Sequence, residues 1–275
     1  MGGRAARDTA AGLGRVHAPY RRLDLADRVR IPYAIPASDE LSGRVDAVLT
    51  VIHLLYATGH TAHSGDDLVR DELTGRALDL VRILHHLLPT DRETTGLLAL
   101  LLAHHARRTT RTDAHGRLLR LDEQDRSAWD GGLIAEADRL IVATLTAGPP
   151  GRFTLQAAIA ALHAQAPSFD ETDWPQILTL YDELLRIWPS AVVALNRAVV
   201  VSMVDGPQAA LDEVEAIELD NRLAGYRYLP ATKADLLHRL GRDAEAAGAY
   251  REALALSDNA AEQEFLAERV TMTKP

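Results

Sequence analysis

Residues 181–190, YDELLRIWPS, and residues 250–259, YREALALSDN, are two versions of one pattern set 69 positions apart. Between them GPQAALDEVEAI (206–217) matches GRDAEAAGAY (241–250) at an offset of 35, and both segments open on glycine. Recurrence at a fixed step of this size marks a stack of like units, none of which can bury its apolar face alone. Apolar residues inside each unit recur three and four positions apart, so the unit is a pair of helices. VVALNRAVVVSMVDG (192–206) and LPATKADLLHRLG (229–241) supply the first helices of two such pairs.

Working towards the N-terminus, the same spacing continues without an obvious repeat. LSGRVDAVLTVIHLLYATG (41–59) reads as a helix with Gly59 as its stop, and DDLVRDELTGRALDLVRILHHLLP (66–89) as a second that ends before Pro89. ETTGLLALLLAHHARRTTR (93–111) is apolar on nearly every face in its first half, which predicts a central helix. LIAEADRLIVATL (133–145) and TLQAAIAALHAQA (154–166) follow, parted by the Gly- and Pro-containing turn TAGPPGR. The prolines of IPYAIP (31–36) predict extended backbone ahead of this series. The expected class is all-α, a helical bundle followed by stacked helix pairs with the period of about 34 residues that tetratricopeptide repeats show. The expected division is an N-terminal extension over 1–35, a helical domain over 36–168 and a repeat domain over 169–275.

Composition agrees. The 275 residues are 47% hydrophobic but only 5% aromatic, a Leu- and Ala-rich make-up that favours helix over strand. A net charge of −9 argues against direct DNA binding, since phosphate contacts need a surplus of Lys and Arg on some face. The absence of cysteine excludes disulfides and thiolate metal sites. No stretch is apolar enough for a signal peptide or a membrane span, so the expected location is cytoplasmic and no membrane partner is expected.

One polar stretch interrupts the helices. LDEQDRSAWD (121–130) gathers Asp122, Glu123, Asp125, Arg126 and Asp130 around Trp129. It reads either as a solvated loop or as polar groups gathered in a site. If 93–111 is one continuous helix, His104, Arg107, Arg108 and Arg111 share a face, and Gln156 and His163, seven apart, share another. Asp125 and Arg126 turned inward between those faces would form buried charge pairs, Asp125 with Arg107, Arg108 or Arg197. One outcome is an ion-pair network that fixes how the helices meet. The other is a pocket whose arginines take a small anionic or carbonyl-bearing ligand, with His104, His105 or His163 titrating near neutrality. Asn196 and Arg197, flanked by apolar residues in one helix, are expected to face inward and bond across to the N-terminal half. Trp174 and Tyr181, seven apart, read as core. No metal or cofactor is expected: His-Glu-x-x-His, a phosphate-cradling glycine loop and a serine elbow are all missing.

LDEQDRSAWD, LQAAIAALHAQAP, TDWPQILTLYDELL, PSAVVALNRAVVV and LLHRLGRDAEAAGAYREALAL occur in that order. Together they resemble the C-terminal tetratricopeptide-like extension of one group of extracytoplasmic-function sigma factors, from about Ile31 to the end. In that group two DNA- and polymerase-binding regions precede the extension and need well over a hundred residues; thirty stand here, so the resemblance implies an extension acting apart from its transcription module. This sequence departs from the group in two places. Ala57, Thr58, Gly59 and His60 stand where it usually has Asn-Glu-Gly-Tyr, and His104 and His105 stand where it has His-Asp before Ala-Arg-Arg or Ser-Arg-Arg.

Two functional expectations follow. The first is a regulatory module that binds a protein partner or a small ligand, with Arg107, Arg108, Arg126, Trp129, Gln156, Asn196 and Arg197 as contact residues. The second is a cofactor-independent enzyme on the same scaffold, an isomerase, cyclase or hydrolase, with His60, His104, His105, His163, Glu123 and Asp125 as candidates for proton transfer.

Overall fold

A computed structural model describes residues 38–273, and the expected extension over 1–35 and the IPYAIP segment lie outside them. The helices are α1 (Ser38–His60), α2 (Asp71–Leu87), α3 (Arg92–His105), α4 (Gly131–Thr146), α5 (Arg152–Gln165), α6 (Trp174–Ile187), α7 (Ala191–Val204), α8 (Pro207–Asp220), α9 (Tyr228–Arg239), α10 (Asp243–Ala255) and α11 (Ala260–Met272). Short 3₁₀ turns cover Arg108–Thr110 and Arg126–Ala128. The only strands among the described residues are the two-residue β1 (Ser64–Gly65) and β2 (Asp258–Asn259), so the chain is all-α.

Local chemistry sets the helix starts. Asp91, Asp130, Asp173 and Asn259 each accept a hydrogen bond from a backbone N–H of the first turn of α3, α4, α6 and α11, satisfying donors that no carbonyl can reach. Pro175 and Pro207 occupy first turns, where the missing N–H costs nothing. The two glycines that open the repeated segments, Gly206 and Gly241, adopt φ of 93° and 74° in the same turn between paired helices, a conformation other residues resist. Tyr181 is the eighth residue of α6 and Tyr250 the eighth of α10, so the sequence repeat is a structural one.

Val45–Pro275 cluster as one compact unit. Its first apolar core lies among α1 to α5 around α3, which is buried at every position from Thr94 to Ala103. Gly96 lets α3 approach α5: a Cβ there would sit 2.6 Å from Thr154 Oγ1 and 2.7 Å from its backbone nitrogen. At the same crossing the Glu93 carboxylate accepts hydrogen bonds from Phe153 N at 3.0 Å and Thr154 Oγ1 at 3.2 Å, serving the start of α5 from a neighbouring helix. A second core lies among α7 to α11, and a third joins Leu155 and Ile159 of α5 to Ile177 and Leu184 of α6 and Val193 and Val200 of α7.

The end of the array returns to its beginning. β1 pairs in parallel with β2, and Asn259 Nδ2 donates to the carbonyls of Gly65 and Asp67. Arg227 lies 2.8 Å from His63 Nδ1, and Arg120 reaches Asp235 at 3.2 Å. Glu262 anchors this closure: it is buried, accepts from Tyr228 Oη at 2.6 Å and Ser257 Oγ at 3.1 Å, and lies 2.7 Å from Arg227 Nε.

Two expectations change. The 93–111 segment is not one helix: α3 ends at His105, and the chain turns because Asp130 N bonds Ala106 O and Trp129 Nε1 bonds Thr110 Oγ1. The helical-face argument for His104, Arg107, Arg108 and Arg111 therefore does not apply. Arg197 bonds within the stack, to Asp182 at 2.6 Å and Glu213 at 2.7 Å, and not across to the N-terminal half. That junction is apolar, carried by α5 against α6 and by the valines of α7.

Candidate functional site

A cleft of about 450 Å³ opens between the end of α5, helices α6 and α7, and helices α9 to α11. His163, Phe169, Trp174, Tyr181, Met203 and Tyr250 form much of its wall, and Arg120, Asp122, Asp235 and Arg239 bring charge to it. Its aromatic side is organised edge to face: Trp174 meets His163 at 5.3 Å and Phe169 at 5.1 Å between ring centres. Both repeat tyrosines, Tyr181 and Tyr250, line it, and burial raises each phenol to about 12. Arg239 is held at its place by Ser202, whose hydroxyl and carbonyl accept at 2.7 and 2.9 Å. Such a concave, mostly apolar wall with a few fixed polar groups is the ordinary make-up of a binding site.

Beside the cleft, inside the bundle, lies a second group of polar side chains. Tyr56 stacks on His60 at 5.6 Å, His60 meets His104 at 5.3 Å, and His105 stands edge-on to Tyr56 at 6.4 Å. Burial, followed by the charge of Arg111, holds His60 well below the usual histidine range; burial, followed by Arg107, does the same to His104. His105 is lowered by burial and then Arg108. His163 is pushed down to about 4 by burial, then Arg107, then Arg126. These rings are neutral at pH 7.

The structure thus brings His60, His104, His105 and Arg107 together and leaves His163 as the member of the histidine set that lines the cleft. The expectation that Asp125 is buried and paired with an arginine is overturned. Asp125 is exposed and accepts from Ser127 N at 2.9 Å and Ser127 Oγ at 2.6 Å, a local cap. Glu123 is exposed too, accepting from Arg120 N at 2.7 Å. Arg126 is half-buried without an acid: it donates to the carbonyls of His163 and Ala166 at the end of α5 and lies over Trp129 at 4.9 Å. That is how a cation completes the last turn of a helix. Trp129 is buried core, Gln156 donates to Arg152 O, and Arg108 donates to His105 O. Asn196, expected to face inward, is exposed at the rim of the cleft, whereas Arg197 does not line it. Trp174 and Tyr181, read as core, belong both to the third core and to the cleft wall. No three His, Asp or Glu side chains among the described residues are arranged to hold a metal ion, and no described helix is long and apolar enough to cross a membrane.

Comparison with known proteins places the chain only in outline. Residues 44–145 match DUF6596, a family of unknown function. An uncharacterized protein of Rhizobium meliloti (strain 1021) is 42% identical over 236 residues, which is 86% of this chain, and the chain spans only 55% of that protein's length. Among solved structures, a thermophilic tetratricopeptide-repeat protein of Thermus thermophilus superposes with a TM-score of 0.53 at 19% identity, covering 82% of this chain and 96% of that one. The fold is therefore tetratricopeptide-like.

Proposed function

We propose that the chain is a regulatory module that takes a peptide segment of a protein partner into the cleft between α6, α7 and α9, in the manner of the extension that follows extracytoplasmic-function sigma factors. The observation that carries the reading is the aromatic wall of His163, Phe169, Trp174, Tyr181 and Tyr250, with Arg120, Asp235 and Arg239 beside it. Stacked helix pairs present concave faces that grip peptides through apolar anchors and polar ends. The sigma-extension part rests on the ordered motifs from LDEQDRSAWD to LLHRLGRDAEAAGAYREALAL; the acidic net charge supports a module that meets protein and not DNA.

The enzymatic alternative would draw on His163, the one candidate histidine at the cleft. Its conjugate acid lies near 4, well under the value that suits a general base at neutral pH, so the binding reading stands ahead. The test is to pan a random dodecapeptide display library on the intact chain and measure recovered peptides by fluorescence anisotropy. Trp174→Ala and Tyr181→Ala should each weaken binding at least tenfold while far-ultraviolet dichroism stays unchanged. Peptides that bind both variants as tightly as the parent would refute the cleft as the docking site.

A further inference from the structure

Arg107 and Arg111, in the turn that follows α3, are arginines without acids. Arg107 reaches only Gln124 Oε1, at 3.5 Å; Arg111 donates to His60 O and, at 3.0 Å, to Thr61 Oγ1. No ion pair holds Arg107 or Arg111 among the described residues. Glu262, whose charge reaches Arg111, is taken up by Arg227, Tyr228 and Ser257. Arg111 is 8% exposed, so its charge sits almost out of water with neutral oxygens as its hydrogen-bond acceptors.

Around these two guanidinium groups lie buried polar atoms with no hydrogen-bond partner: Tyr56 Oη, His60 Nδ1 and His104 Nδ1. A native interior leaves few such atoms, and three in one ring cluster point to an occupant. A buried positive charge on Arg111 and a half-buried one on Arg107, neither in an ion pair, call for a negative one beside them. A metal ion fails on both counts, because the arginines repel it and the histidines do not converge as ligands.

We propose that Arg107, Arg111, Tyr56, His60 and His104 form a binding site for a small oxyanion, a phosphate or a carboxylate. Arg107 supplies charge and a largely free fork of donors, which matches an anion with two acceptor oxygens, and Arg111, whose terminal nitrogens already donate to His60 O and Thr61 Oγ1, adds a second charge. The Tyr56 hydroxyl and the neutral imidazoles of His60 and His104 complete the shell as single donors. Burial and the neighbouring arginines keep those imidazoles uncharged, so the site's charge comes from arginine alone and persists across neutral pH. The site is separate from the peptide cleft and does not rest on that reading.

The experiment measures Tm and calorimetric binding with sodium phosphate and with sodium acetate against sodium chloride at matched ionic strength. At least one oxyanion should raise Tm saturably in the millimolar range where chloride does not, and comparison of the two separates a phosphate site from a carboxylate site. Arg107→Gln, chosen because Arg107 makes only one long hydrogen bond, should weaken that binding at least tenfold; Arg186→Gln, on the exposed side of α6, should behave as the parent. Should Arg107→Gln not fold, Tyr56→Phe serves: it removes a hydroxyl without a partner, so anion binding falls severalfold while Tm in chloride does not drop. No saturable effect of either oxyanion over chloride, or an undiminished effect in the folded variants, overturns the proposal and leaves water as the occupant.

Discussion

Acidification should destabilise this protein in part through His163, before its carboxylates are neutralised. His163 is packed against Trp174, and its Nδ1 is buried without a hydrogen-bond partner. Burial and the charges of Arg107 and Arg126 take it from 6.5 to about 4. The folded state therefore refuses a proton that the unfolded chain accepts. Where the unfolded state binds more protons, stability rises with pH, so this contribution is intact above about 6.5 and is lost progressively as pH falls towards 4. At pH 5 the gap is roughly 1.5 pH units below the unfolded value, worth about 2 kcal/mol. Urea unfolding at pH 7.5 and pH 5.0, followed by circular dichroism, measures it. His163→Gln should lose about 2 kcal/mol less than the parent between the two pH values, because glutamine does not titrate. His53, His60 and His104 are lowered in the same direction and keep part of the slope in the variant. Identical pH dependence in parent and variant would refute the reasoning.

Other outcomes follow from single contacts. Gly96→Ala forces a methyl onto Thr154 at the crossing of α3 and α5 and should cost at least about 2 kcal/mol in urea unfolding, since the obstacle includes backbone. Glu262→Gln leaves Arg227 buried without its charge partner and should cost about 3 kcal/mol, with faster amide exchange at Gly65 and Asn259 where the array closes. Asp125→Ala, by contrast, removes an exposed cap on a single turn and should leave the urea unfolding midpoint close to the parent's.

Much of the helical stack was legible because its signals are local. Tyr181 and Tyr250 repeat at a fixed step and land at the same position of α6 and α10, and Gly206 and Gly241 repeat in the turns between paired helices. Of the two readings of the polar stretch, the solvated loop holds for Asp122, Glu123, Asp125 and Asp130, for a physical reason. Aspartate competes for its own backbone, so Asp125 and Asp130 became caps and not ion-pair partners, and a charge run alone does not distinguish the two. Arg126 found carbonyls at the end of α5, partners that carry no side-chain signature. The cleft could not be seen from Trp174 and Tyr181 alone, since their spacing states which helix face they share and not what α9 to α11 leave open opposite them. The pairing of β1 with β2 joins positions almost two hundred residues apart in two-residue strands, too short for any periodicity to show. The histidine cluster is half visible in the sequence: His60, His104 and His105 stand out as candidates, but the end of α3 at His105 decides which of them meet.

Hydrogen–deuterium exchange of the intact chain with and without a saturating display-selected peptide tests the central claim most directly. Added protection is expected in the segments around His163 to Tyr181 and Ala231 to Arg239, the two walls of the cleft, with little change along α2. Protection confined to α1 and α2, with both cleft walls unchanged, would contradict it.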